Sequence, residues 1–135
     1  MESELKGQLK EQLKELHHLL LSLHKALLDD ERREYEKIHG PIHGANQILH
    51  LLMHDPWFDW LRQISRRIVR IDEILDAEKF SPEDASELLS SVQGLFRVQE
   101  KDSEFMIRYK AALKREPAAV LGHIGLKKCL QLTFN

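Results

Sequence analysis

Cysteine is nearly missing from this chain, with Cys129 the single example. No disulfide can form within one molecule, and a cluster of thiolate ligands on a metal is excluded. Glycine and proline are scarce, at six and four in 135 residues. With few breakers, the abundant leucine, glutamate and lysine favour long helices. Long apolar runs are missing too. The densest, "LLLSL" at 19–23, is far too short to span a bilayer, so no membrane contact is expected. Nor is there a basic excess, since the formal net charge is -2. Proteins that neutralise many phosphates carry a clear surplus of Lys and Arg, so nucleic acid is an unfavoured partner. No glycine-rich phosphate loop follows a strand, and no nucleophile with its base can be recognised. The opening "MESELKGQLKEQLKE" lacks the apolar segment of a signal peptide, which makes the cytoplasm the expected location.

What is present reads as one all-α domain over residues 1–135. Hydrophobic residues make up 42% and charged residues 31%, the balance of a soluble globular chain. From Ser3 to His39 there is no proline and one glycine. Leu9, Leu13, Leu16, Leu20, Leu23 and Leu27 follow a 4-3-4-3-4 spacing, the seam of a helix packed along a partner. "HGP" at 39–41 stops this helix. A short helix fits 45–54. Asp55 then caps a helix that begins near Pro56 and runs to about Lys79. Trp57, Leu61, Ile64, Ile68, Ile71 and Leu75 repeat the 4-3-4-3-4 spacing along it. "SPED" at 81–84 starts a third long helix, and a fourth fits 103–115. After Pro117 the signal weakens, because Gly122 and Gly125 lower helix propensity and "LQLTF" suits extended chain. The expectation is an antiparallel bundle of four principal helices with short accessory helices.

The long first helix spans about 54 Å at the usual rise per residue, more than the others. Its leading leucines therefore outrun the bundle and need cover. Leu5, Leu9, Leu13 and Leu16, with the aromatics Trp57 and Phe58, form the expected interface of a homodimer or of contact with another protein. A non-enzymatic protein acting through such contacts is the expected function.

The alternative is a metal- or cofactor-binding bundle. His50 and His54 stand at i and i+4 on the short helix, a spacing at which two imidazoles share a metal. His24 and Glu31 recur at sevens on the first helix, and Glu34 joins them near its acidic end. These five make the candidate shell for iron, manganese or zinc. Against it stands an ordinary amphipathic helix with its histidines outward.

Asp30 and Glu34 occupy positions where the leucine seam would continue. Arg67, flanked at seven residues by Trp60 and Ile74, is the expected ion-pair partner for both. Arg62, Arg66 and Arg70 share a helix face, a local basic stripe that nucleic acid could meet, and "RYKAALKRE" with "LKK" makes another basic region near the carboxyl end.

Overall fold

The structure is a computed structural model and describes residues 2–131. It is all-helical, with six α-helices and no strand among the described residues. They are α1 (Glu2–His39), α2 (Gly44–His54), α3 (Asp59–Asp76), α4 (Pro82–Phe96), α5 (Glu104–Arg115) and α6 (Pro117–Leu130). One 3-10 turn, Pro56–Phe58, leads into α3. The helix starts follow local chemistry. Asp55 Oδ1 accepts from the Trp57 amide at 2.9 Å, Ser81 Oγ from Asp84 at 3.2 Å and Ser103 Oγ from Met106 at 3.1 Å. Each satisfies an amide that the first turn leaves without a partner. At the end of α1, Gly40 takes φ of +83°, a conformation that glycine adopts without steric penalty.

Helix α1 is the axis of the molecule and packs against α3, α4, α5 and α6. Its seam residues Leu13, Leu16, Leu20, Leu23 and Leu27 are fully buried. Around them lie Leu61, Ile64, Ile71, Val92, Phe96, Tyr109 and Leu126, which complete one continuous core.

The seam is covered differently from the sequence expectation. The carboxyl-terminal segment forms α6 and lies along α1 in the opposite chain direction. Gln12 Nε2 donates to the Cys129 carbonyl at 3.2 Å, and at the other end Arg33 pairs with Glu116. Gly122 and Gly125 face α1, where a Cβ would stand 3.1 Å from Leu23 Cδ1 and 3.1 Å from Leu19 Cδ2, respectively. The missing side chains let the two helices approach closely. Glycines that weaken a helix in isolation here serve its packing. Leu13 and Leu16 therefore belong to the chain's own core, and Leu9 is half-buried against it. Of the expected overhang only Leu5 remains exposed. The extended reading of "LQLTF" falls mostly on 132–135, outside the described residues.

Candidate functional site

Three places gather the side chains that carry chemistry. The first is a charged knot where the acidic end of α1 meets α5. Asp30 and Glu31 are 3% and 2% exposed, and burial of two carboxylates demands compensating charge. Arg115 supplies it. Its Nη2 donates to Asp30 Oδ2 at 2.7 Å and to Glu31 Oε1 at 3.1 Å, and its Nε lies 3.6 Å from Glu34 Oε1. These carboxylates, Asp30 first, hold the guanidinium above its ordinary pKa. Arg108 Nη2 donates to Glu31 Oε2 and to the Trp57 carbonyl, both at 3.1 Å. The Arg108 guanidinium also stands 5.4 Å from the centre of the Trp57 ring. Lys37 closes the knot from outside at 2.5 Å from Glu34, and this hydrogen bond lowers the Glu34 pKa.

The expected partner of Asp30 and Glu34 is thereby corrected. Arg115 holds them, and Arg67 lies elsewhere, its Nη1 bonded to the Gln63 carbonyl at 2.8 Å. Seam spacing pointed to a cation on α3. Arg108 and Arg115 also recur at seven residues on α5, but spacing alone does not say which helix faces the acidic end of α1.

The second place is the joint between α1 and α3. Phe58 is fully buried, which corrects its assignment to an interface. Tyr35 sits 5.5 Å from the Phe58 ring and edge-on to Trp57 at 5.6 Å. Trp57 is half-buried in this aromatic group. The neighbouring helix α2 packs on α3 and on the 3-10 turn. His50 and His54 stand exposed on it with ring centres 4.8 Å apart. The proposed metal shell is not assembled. Glu31 and Glu34 are engaged by arginines and lysine, and His24 is half-buried on α1. Among the described residues no three His, Cys, Asp or Glu side chains are grouped to hold a metal ion.

The third place, which periodicity did not reveal, is a groove of about 570 Å³ between α3, α4 and α5. Gln63 and Arg67 line it from α3, Ser91, Gly94 and Leu95 from α4, and Glu104, Phe105 and Arg108 from α5. Trp60 also lines it and is 5% exposed, yet among the described residues its indole Nε1 has no hydrogen-bond partner. The Nε of Arg67 is likewise buried and without a partner. Desolvation, with Arg66 beside it, lowers the pKa of this arginine. The size is that of small-molecule sites. A beginning of this groove is legible in the sequence: Asp59, Trp60, Gln63 and Arg67 share one face of α3 by their spacing.

The basic stripe is mostly spent on local bonds. Arg62 pairs with Asp59 and donates to the Leu52 carbonyl at 2.6 Å. Arg70 lies 3.3 Å from Glu73 and 3.5 Å from Asp84. Arg66 is exposed.

Two histidines inside the fold carry a pH consequence. Burial lowers the pKa of His24; it also lowers that of His123, whose Nδ1 is 2.7 Å from the Tyr109 hydroxyl. In the unfolded chain both titrate near the ordinary value of about 6.5. Below that pH the unfolded chain binds more protons, so stability is full above it and is lost as pH falls through the folded values. The melting temperature should therefore decline between about pH 7 and pH 5, and a His24→Gln/His123→Gln variant should flatten that decline. An equal slope in the variant would assign the effect to other groups.

No protein-family model, curated protein or solved structure matches this chain.

Proposed function

We propose that this chain is a non-enzymatic helical-bundle protein, its helices arranged antiparallel about α1, that acts through protein–protein contacts. A second copy of itself is the first partner in this reading. The supporting observation is the apolar surface that α2 leaves in water. Ala45, Ile48, Leu49, Leu51, Leu52 and Met53 give this helix of 11 residues an apolar majority, yet only Leu51 is buried. Leu49 and Met53 are 55% and 57% exposed. An isolated helix of this length is marginal in water, so α2 depends on what covers it. Further burial of such side chains contributes about 25 cal/mol per Å². The surface thus differs from the one expected: α2 takes over from Leu13, Leu16 and Phe58, while Leu5 and Trp57 stay in reach of solvent. The cytoplasmic location belongs to this reading on the sequence grounds given above. No described helix is long and apolar enough to cross a membrane.

The test is the absolute mass of tag-free protein in solution across a wide concentration range, with elemental analysis of the same sample. The expected result is a dimer that Leu49→Glu/Met53→Glu converts to a folded monomer. A monomer at every concentration overturns self-association. Near-stoichiometric iron, manganese or zinc, lost in His50→Ala/His54→Ala, would replace this reading with the metal-binding one.

A further inference from the structure

We propose that the groove between α3, α4 and α5 binds a small organic monocarboxylate, its carboxylate on the Arg67 guanidinium and its apolar body against Trp60, Phe105 and Leu95. The argument starts from charge. Among the described residues Arg67 has no carboxylate partner, and its Nη1 meets only the neutral oxygens of Gln63, at 2.8 Å and 3.2 Å. A half-buried guanidinium is stabilised by an anion and destabilised by desolvation alone. The acids that share the groove do not fill this role. Asp59 is paired with Arg62 and precedes Arg67 by eight residues, about 12 Å along the helix. Glu104 is exposed in the first turn of α5, where the helix dipole favours it.

Position points the same way. Arg67 lines the groove from α3, and the fork of N–H donors on a guanidinium suits the two oxygens of a carboxylate. Trp60, one heptad earlier on the same helix face, lines the groove as an aromatic wall. Single charge selects the ligand class. One unneutralised cation matches a carboxylate, whereas a phosphate dianion asks for more. The other cation lining the groove, Arg108, is already paired with Glu31. Apolar walls supply the rest: Phe105 lies 5.6 Å from Trp60, ring centre to ring centre, and Leu95 faces the same space.

The probe is phenylacetate, followed through the two indole Nε1–H signals of the nitrogen-15-labelled full chain, assigned with Trp57→Phe. The expected result is a saturable shift of the Trp60 signal with Kd below about 1 mM. Phenylacetamide, of the same shape without charge, should bind at least about tenfold more weakly. Arg67→Gln should weaken binding by at least about tenfold as well. A second variant guards against loss of fold. A Cβ at Gly94 would meet nothing within 4 Å, so Gly94→Leu fills the groove from α4 and suits the helix better than glycine. It should remain folded and lose the shift. The proposal is overturned by absence of a saturable shift, by equal binding of phenylacetamide, by inorganic phosphate binding as tightly as phenylacetate, or by unchanged affinity in folded Gly94→Leu.

Discussion

Replacing Arg115 with methionine should lower the unfolding free energy by about 3 kcal/mol, the lower end of the range for breaking a buried ion pair. The substitution keeps the apolar stem and leaves Asp30 buried with its charge uncompensated. The loss stays at the low end for two reasons. Arg108 still holds Glu31, and the Arg115 side chain is 33% exposed, so water already screens part of the pair. Urea melts measure the effect directly. Asp30→Asn in the Arg115→Met background should recover part of it, with a coupling above about 1 kcal/mol, because the uncompensated charge is then gone. Arg67→Met provides the contrast and should cost under about 1 kcal/mol, since Arg67 holds no carboxylate among the described residues. Equal losses from Arg67→Met and Arg115→Met would contradict the charged knot.

Leu16→Ala should cost about 3–4 kcal/mol, the cavity and transfer terms for a fully buried leucine together. Leu16 is fully buried within the single chain. The difference in stability from the parent protein should then be independent of protein concentration. A seam that served as the contact between copies would behave otherwise: the loss would appear as dissociation and would shrink at high concentration. Measuring both proteins at two concentrations far apart separates the cases. Leu5→Ala, at an exposed position ahead of the core, should change stability by less than about 0.5 kcal/mol in the same assay.

The expected cation for Asp30 and Glu34 and the expected overhang of α1 failed for related reasons. Asp30 and Glu34 are recognisable as charges at seam positions, and in the structure an arginine stands against both. Choosing the cation required knowing which helix end lies opposite, and α5 brings Arg115 there from 85 residues away. The overhang of α1 was inferred from helix lengths, with α6 discounted for its glycines. Propensity treats Gly122 and Gly125 as weak points. Tertiary contact reverses their meaning, because a helix that packs within van der Waals reach of Leu19 and Leu23 has no room for larger side chains there. The metal shell is a different case. Spacing brought His50 and His54 together, as it must at i and i+4, but it could not add a third ligand from another helix.

By itself the sequence determined the all-helical class, the helix starts at Asp55, Ser81 and Ser103, the stop at Gly40, and the buried face of α1 and α3. These follow from chemistry within a few residues: capping side chains, backbone conformations open to glycine, and the period of the apolar positions. Tertiary structure alone decided that α6 lies along α1, that Arg115 neutralises Asp30, that Phe58 is core, and that Trp60 and Arg67 line a groove with donors unsatisfied. Each of these depends on which helix faces which. That choice is made by shape, volume and charge summed over the whole chain, and a periodic pattern carries no record of the partner it packs against.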